Sequence, residues 1–322
     1  MSKVLTISVA AYNVSSFLKD TLDSLIINES LDSLEVLIIN DGSTDNTASI
    51  AAEYVKKYPD TFILINKENG GWGSTVNTGI REATGKYFKL LDGDDSFDSD
   101  SLPGFIDFLS KCDADLVYTD YVVFDDESLE VTEEKKVDMR MPLGETVSSD
   151  RLNPDYMLMM HACTFKTELL QRNNVSITEH CFYTDNEYVV KALVNVETVC
   201  MKDCIVYRYR VGREGQSVSW VGYKKHYLEH ATVIEQMLLT YRSSVKSEHM
   251  RKILFDRIKW IIDVHYNVML HLGKDKEYKD ALLRFDTMLK NSYMEFYPTT
   301  RRKVKLFRLT KGLMFPLLVY KA

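Results

Sequence analysis

The feature that most limits the fold is a repeat of short apolar segments, each followed by a polar turn and a helical pattern. Apolar runs cover residues 4–11, 34–40 and 62–66, and a fourth run, residues 87–91, is interrupted only by Lys89. Near-continuous apolar runs of this length are typical of parallel strands that are covered on both faces. Strands that alternate with helices form right-handed βαβ units, so the sequence predicts a doubly wound, Rossmann-like, mostly parallel α/β sheet.

A polar turn follows each predicted strand at its carboxyl end. The turn residues are Tyr12 and Asn13 after the first strand, Asp41 after the second, Asn69 and Gly70 after the third, and Asp92, Asp94 and Asp95 after the fourth. In doubly wound sheets, ligands bind beyond the carboxyl ends of the strands, near the point where the strand order reverses. We therefore expect these residues to line one rim of the sheet and to form a ligand site there.

The three carboxylates after the fourth strand point to a cation. Acids this close repel one another, and a metal ion or a polyhydroxyl ligand would offset that cost. An Asp-x-Asp pair such as Asp92 and Asp94 can hold a divalent metal through oxygen atoms, with water and substrate phosphates as further ligands. Asp and Gly are also common in turns, so an acidic turn without a ligand is the alternative.

Two further turns have competing interpretations. Asp41 directly follows a strand, where a carboxylate can accept hydrogen bonds from a ribose hydroxyl or a base N–H. Residues 41–46 would alternatively serve only to cap the next helix. The glycines in residues 70–73 match neither a Walker loop nor a dinucleotide fingerprint, and we expect them to let the backbone approach a sugar or a diphosphate closely.

Composition excludes several classes of protein. The chain has 322 residues, of which 45% are apolar, and it can bury a large core. Five dispersed cysteines without a Cys-x-x-Cys pair argue against a zinc site or a disulfide framework. We therefore expect the protein to reside in the reducing cytoplasm. No apolar run reaches the ~18 residues of a membrane-spanning helix, and the amino-terminal run is too short for a signal peptide. Residues 1–300 carry a net negative charge, which would repel the phosphates of a nucleic acid, so nucleic acid is disfavoured as a partner.

Four motifs in a fixed order carry a family resemblance. They are Val-Ala-Ala-Tyr-Asn, Ile-Ile-Asn-Asp-Gly-Ser-Thr-Asp-Asn-Thr, Glu-Asn-Gly-Gly with a later Asn-Thr-Gly, and Leu-Leu-Asp-Gly-Asp-Asp-Ser-Phe-Asp. Over residues 4–125 the chain closely resembles family 2 glycosyltransferases with the GT-A fold. The resemblance implies transfer of a sugar from a nucleotide diphosphate, usually a UDP-sugar, with inversion at the anomeric carbon.

The resemblance also assigns roles to the rim. It implies that Ala11, Tyr12 and Asp41 contact the nucleoside, that Asp92 and Asp94 meet the ribose and a Mn²⁺ or Mg²⁺ ion, and that Asp95 supports the sugar or metal side. Asn13, Asn69 and Gly70 share the rim and complete the predicted nucleotide-sugar site. Family members often carry Arg before the asparagine of the Asn-x-Gly turn, but Val76 stands there in this chain, so that phosphate contact is absent.

The catalytic base is expected on a helix in the second half of the chain. The segment over residues 183–193 resembles the Glu-Asp pair that begins a helix in the family, and this likeness puts Asp185 at the base position. An inverting displacement needs one base, because the acceptor hydroxyl must lose its proton as it attacks. Asp185 would otherwise only cap a helix over residues 186–194, and His161 and His180 are weaker alternatives as base.

A loop near residue 213 completes the predicted site. A strand rich in Arg and Tyr leads into a polar loop with glycines, and such a loop can fold over a bound diphosphate. The segment resembles one in bacterial members that act on surface glycans, so Arg213, Gln216 and Ser217 are candidates to stabilise the leaving UDP. A charged surface turn is the alternative.

The C-terminal part is predicted to be helical. Apolar stripes at helical spacing cover residues 222–291 and would pack on the catalytic domain or form a homo-oligomer interface. The formal charge of −7 combines −14 before residue 301 with +7 for residues 301–322. A basic amphipathic terminus suits an anionic bilayer surface, and contact with another subunit is an equal alternative.

These arguments predict a GT-A catalytic domain over residues 1–220 and a helical region over 221–322. Residues 1–125 would bind the nucleotide-sugar and residues 126–220 the acceptor. The predicted protein is an inverting, metal-dependent hexosyl- or N-acetylhexosaminyltransferase in bacterial surface polysaccharide or glycoprotein glycan synthesis. Its acceptor would be a glycan, a lipid-linked sugar or a glycoprotein, in the cytoplasm or at the inner face of the membrane. The alternative is a catalytically inactive sugar-nucleotide-binding, glycan-binding or scaffold module.

Overall fold

The computed structural model describes residues 2–27, 31–213, 219–245 and 247–319. The chain divides into two compact units, Met1–Glu214 and Gly215–Ala322. The domain organisation predicted from the sequence, with its boundary at residue 220, stays a prediction. In the part of the chain that the structure describes, no helix is both long enough and apolar enough to cross a membrane.

The first unit begins with the predicted repeat of strands and helices. Its first elements are β1 (Leu5–Ala11), α1 (Leu18–Asp23), β2 (Leu34–Asp41), α2 (Thr47–Lys57), β3 (Phe62–Lys67), α3 (Trp72–Glu82) and β4 (Tyr87–Asp92). Every residue of β2 is buried, as expected for a strand covered on both faces. Helix α3 begins at Trp72, because Gly71 adopts a φ of 80° and turns the chain into the helix there.

The remaining elements of this unit extend the sheet. They are β5 (Ser96–Phe97), α4 (Leu102–Lys111), β6 (Leu116–Asp125), β7 (Val131–Lys135), β8 (Val147–Ser148), β9 (Cys163–Lys166), α5 (Thr167–Arg172), α6 (Asp185–Leu193) and β10 (Thr198–Val211). Strand β7 pairs antiparallel with β6, so the charged segment after β6 is a hairpin. The short strands β5 and β8 were not predicted.

Among the described residues the strands form one sheet in the order β3–β2–β1–β4–β9–β6–β10–β5, with β7 on β6 and β8 on β10. The β1–β2, β1–β4, β2–β3 and β6–β10 pairs are parallel, whereas β9 lies antiparallel between β4 and β6. The chain passes from β1 outward to β3 and then returns to β4 on the other side of β1. This reversal brings the carboxyl ends of β1 and β4 together, with Ala10 paired to Asp92.

The second unit is helical, as predicted. Its helices are α7 (Trp220–Ser244), α8 (Glu248–His271), α9 (Lys276–Ser292), α10 (Arg302–Leu309) and α11 (Phe315–Leu318). The tail folds back on its own unit, because Val304, Phe307, Phe315 and Leu318 are all buried. Arg308 of α10 fastens it, donating from Nε to Asp286 at 2.6 Å and from Nη2 to the Tyr266 hydroxyl at 2.8 Å.

Candidate active site

Hydrogen bonds join the loops that follow β1 and β2. Asn13 adopts a φ of 51°, and its side-chain oxygen accepts a hydrogen bond from the Thr44 amide at 2.8 Å. The Asn13 amide in turn donates to the Ser43 hydroxyl at 3.0 Å. Ala11 is buried at the end of β1, whereas Tyr12 is 52% exposed. The two loops therefore form one surface at the sheet edge, from which the ring of Tyr12 projects.

Asp41 organises the glycine loop that follows β3. Its side chain is buried; Oδ1 accepts hydrogen bonds from Lys67 Nζ at 2.7 Å and the Gly70 amide at 2.9 Å, and Oδ2 accepts one from the Gly71 amide at 2.8 Å. The side chain of Asn69 donates to the Asp41 carbonyl at 2.9 Å. The structure thus brings together Asp41, Asn69 and Gly70, which the sequence predicted separately. Oδ2 retains capacity for a second donor.

The glycine loop also packs against the segment that precedes α6. The His180 amide donates to the Gly70 carbonyl at 2.5 Å. A Cβ placed on Gly73 would lie 2.2 Å from the Thr178 carbonyl oxygen, a separation that no side chain tolerates. Gly73 is therefore required for this close approach, which joins the start of α3 to the segment that leads into α6.

Asp92 and Asp94 lie at the carboxyl end of β4 and have different partners. Asp92 Oδ1 accepts a 2.6 Å hydrogen bond from the indole nitrogen of Trp72. Burial, and then the charge of Asp94, raise the pKa of Asp92 to about 7. The Asp94 carboxylate forms an ion pair with Arg213. Ionisation of Asp92 is therefore unfavourable, whereas the charge of Asp94 is balanced by Arg213.

Asp95 is buried and anchors β10. Its Oδ2 accepts a hydrogen bond from the Tyr207 hydroxyl at 2.5 Å, and its Oδ1 accepts one from the Arg210 amide at 2.7 Å. Burial, with the charges of Asp94 and Asp92, raises the pKa of Asp95 well above its usual range. Both oxygens of Asp95 therefore already have partners, and these partners fix the Arg-rich strand beside the acids.

His161 faces the same acids. Single donor atoms of Asp92, Asp95 and His161 lie within 4.8 Å of one another. The Nδ1 atom of His161 is buried and has no hydrogen-bond partner among the described residues, while burial, and then the charge of Lys89, lower the pKa of the imidazole to about 3. A neutral imidazole nitrogen beside carboxylate oxygens suits Mn²⁺, whereas Mg²⁺ prefers oxygen ligands alone. The residues present fit a divalent cation.

Asp185 lies in electrostatic range of this cluster. It is the first residue of α6, and Thr184 occupies the capping position, so Asp185 is not the cap. Asn186 donates from its side chain to the Asp185 carboxylate at 3.2 and 3.3 Å. The charge of Asp185 contributes to the raised pKa values of Asp92 and Tyr209. The charges of Asp92 and Asp185, which are more than ninety positions apart in the sequence, therefore interact.

Not every predicted contact can be placed. Gln216 and Ser217 lie outside the described residues, so the loop after β10 is represented here by Arg213. Val76, at the position where a phosphate-binding Arg was expected, is buried in α3. The predicted roles of the individual site residues remain predictions.

The sequence reasoning missed Trp72, Tyr207 and Arg210, and it ranked His161 only as a weak alternative base. Tyr207 and Arg210 belong to a segment rich in Arg and Tyr, and that composition is the one available signal. The glycines on both sides of Trp72 predict a loop, and nothing in the sequence around His161 marks it as facing carboxylates.

The chain matches one protein-family model and several curated proteins. The model of "Glycosyl transferase family 2" matches residues 6–173, more than half of the chain. The uncharacterized glycosyltransferase RP339 of Rickettsia prowazekii is 33% identical over 129 residues, which is 39% of this chain and 39% of that protein. The minor teichoic acid biosynthesis protein GgaB of Bacillus subtilis is 25% identical over 210 residues, 64% of this chain and 23% of that protein. The matches thus span well under half of these relatives.

Comparison with solved structures confirms the predicted GT-A fold. Residues 1–349 of S. aureus TarS in complex with UDP align with a TM-score of 0.70 at 18% identity, over 97% of this chain and 89% of that one. The mannosyltransferase PcManGT from Pyrobaculum calidifontis, in complex with GDP-Man and Mn²⁺, aligns with a TM-score of 0.56 at 17% identity, over 99% and 86% of the two chains.

Proposed function

We propose a reaction from one premise: the chain belongs to glycosyl transferase family 2. As a glycosyltransferase, it would move a sugar, with inversion, from a UDP-sugar to a hydroxyl group of a glycan, lipid-linked or glycoprotein acceptor. The observation that carries the proposal is the acidic edge of the sheet. There Asp94 forms an ion pair with Arg213, and the charge of Asp185 contributes to the raised pKa of Asp92.

The nucleotide is proposed to lie over the joined loops after β1, β2 and β3. Tyr12 offers an exposed ring for the base, and Asp41 Oδ2 can accept a hydrogen bond from a base N–H while still holding the glycine loop. UDP and UDP-GlcNAc in the TarS complexes support a uridine nucleotide.

Arg213 is proposed to change partners when the donor binds. A diphosphate, like the Asp94 carboxylate, offers a guanidinium two anionic oxygens for paired hydrogen bonds. We propose that Arg213 then contacts the leaving diphosphate, together with Gln216 and Ser217. This exchange would release Asp94 and would supply the phosphate contact that Val76 cannot make.

A divalent ion would be held by Asp94 and Asp92, with His161 Nδ1 and Asp95 as further candidates. When bound, Mn²⁺ or Mg²⁺ neutralises charge on the departing diphosphate. The acidic cluster itself supports this assignment, since burial and the charge of Asp94 disfavour the ionised form of Asp92, and a bound cation would favour that form. The Mn²⁺ in the PcManGT complex also supports it.

Asp185 is proposed as the base. The acceptor oxygen forms the new bond to the anomeric carbon, the bond from that carbon to the diphosphate breaks with its electron pair leaving on UDP, and Asp185 takes the acceptor proton. Its position at the start of α6, in range of Asp92, supports this role.

The acceptor is proposed to belong to a bacterial surface polysaccharide or a glycoprotein glycan. The similarity to GgaB, a protein of teichoic acid biosynthesis, supports the first of these classes. We propose that the enzyme works in the cytoplasm, and at the inner face of the membrane if its acceptor is lipid-linked. A homo-oligomer through the C-terminal helices also stays a proposal.

A donor screen tests the proposal. UDP release is measured from a panel of UDP-sugars in Mn²⁺, in Mg²⁺ and in EDTA, for the parent protein, Asp94→Asn and the control Asp100→Asn, whose side chain is exposed in the turn between β5 and α4. We expect slow hydrolysis of one donor that requires metal, is lost in Asp94→Asn and is kept in the control. Release that persists in EDTA and in Asp94→Asn would contradict the proposed site.

A further inference from the structure

The C-terminal tail presents a surface that sugar transfer does not require. Leu309, Leu313 and Leu317 recur at intervals of four residues and are 80%, 82% and 77% exposed. Leucines this exposed each stand apart from the packed face of the tail. The apolar residues that the tail needs for folding are on its other side, where Val304, Phe307, Phe315 and Leu318 are buried.

Cations lie near these leucines in the sequence, and no acid does. Arg302, Lys305 and Lys311 are exposed, and no Asp or Glu follows Glu295 in the sequence. Arg302, Lys305 and Leu309 are spaced by three and four residues, so they form one stripe along the outer side of α10. The tail therefore exposes isolated leucines and positively charged side chains.

The turn between α10 and α11 fixes this presentation. The Gly312 amide donates to the Phe307 carbonyl at 2.8 Å and the Lys311 amide to the Arg308 carbonyl at 3.1 Å, the two hydrogen bonds of a Schellman turn. Lys311 takes the left-handed position, with a φ of 50°, where glycine is usual. Since Arg308 is also anchored to Asp286, the exposed leucines sit on a folded support.

We propose that residues 301–319 dock the protein on an anionic lipid bilayer. The three leucines enter the interface between headgroups and acyl chains, and Arg302, Lys305 and Lys311 lie among the lipid phosphates. The body, with a formal charge of −14, is repelled by such a surface, so the tail is the part that faces it. The inference does not rest on the proposed reaction.

A second copy of the chain is a less suitable occupant. In a two-fold contact the same patch meets itself, so the cations of one tail would face those of the other. Separate leucine side chains also bury little area against a flat protein surface, whereas a fluid bilayer surrounds each one. Anionic lipid satisfies both the charge and the shape of the tail.

Vesicle co-sedimentation tests the proposal. Binding is measured on vesicles of phosphatidylcholine alone and of phosphatidylcholine mixed with phosphatidylglycerol, with a Leu228→Ser control whose leucine is 52% exposed on α7. The parent is expected to bind only the anionic vesicles, and less so in high salt. Each Leu→Ser change at 309, 313 or 317 should lower the partition constant about tenfold. Each Lys→Gln or Arg→Gln change should lower it about fivefold.

One further variant separates membrane contact from folding. Lys311→Gly places glycine at the left-handed position, so it should raise the thermal midpoint while weakening vesicle binding. Loss of binding with unimpaired folding supports docking. Equal binding to neutral vesicles overturns the proposal. So does binding that is retained when Leu309, Leu313 and Leu317 are all changed to Ser in one variant. A tail variant that changes only the sedimentation coefficient in solution would show that a second copy is the occupant instead.

Discussion

The raised pKa of Asp92 makes a quantitative prediction about stability. Its value of about 7, against an ordinary 3.8, means that the folded protein favours the protonated carboxyl. The protonated carboxyl contributes to the stability of the folded protein, and this contribution is complete below pH 3.8 and is lost as the pH rises to about 7. At about 1.36 kcal/mol per pH unit, the ionised group costs the folded state at most about 4 kcal/mol. The side chain is partly open to solvent, so we expect about half of this cost.

Asp92→Asn should remove the cost, because the amide stays neutral and its oxygen can still accept from Trp72. Without metal, the variant should gain free energy of unfolding relative to the parent as the pH rises from 5 to 7, and the gain should level off above 7. Urea denaturation in EDTA at a series of pH values measures it, with Asp100→Asn as the control that should show no such trend. A gain independent of pH, or a loss at pH 8, would refute the electrostatic argument.

Metal should reverse the order of the two proteins. With Mn²⁺ and UDP, the parent should be stabilised and Asp92→Asn should not, since the variant lacks the proposed ligand. Because the ligand must be ionised, Mn²⁺ affinity of the parent should fall as the pH drops below about 7.

Three other substitutions test separate parts of the site. Asp185→Asn should lower kcat at least about a hundredfold and leave UDP affinity unchanged, because only the base is lost; normal transfer would exclude Asp185 as base. Arg213→Ala should weaken UDP binding about tenfold or more in calorimetry, and unchanged affinity would mean that Arg213 never leaves Asp94. Gly73→Ala should destabilise the protein by about 1–3 kcal/mol through its clash with Thr178, whereas Gly104→Ala, which meets open space in α4, should be neutral or slightly stabilising in the same denaturation assay.

The strand and helix pattern of the first ninety residues was predictable because it depends on local periodicity. The runs ending near Ala11, Asp41 and Asp92 became strands whose carboxyl ends share one edge, as the reversal of strand order requires. The proximity of Asp92 to Asp94 was also predictable, because both residues lie at the carboxyl end of one strand.

The partners of these acids were not predictable, because they depend on contacts between distant segments. β10 carries irregularities in its pairing with β6 between Lys202 and Tyr207, and a shift of one residue would turn Tyr207 away from Asp95. His161 reaches the acids only because β9, which follows it, inserts between β4 and β6. Neither the irregularities nor the insertion leaves a periodic signal.

The central claim is that Asp92 and Asp94 share a cation with a nucleotide diphosphate. Titration of Mn²⁺, with the free ion followed by its electron paramagnetic resonance signal, tests this claim directly. We expect a single bound ion whose affinity rises when UDP is present, and the loss of that UDP-dependent binding in both Asp92→Asn and Asp94→Asn. Mn²⁺ binding that is indifferent to UDP, or that survives both substitutions, would contradict it.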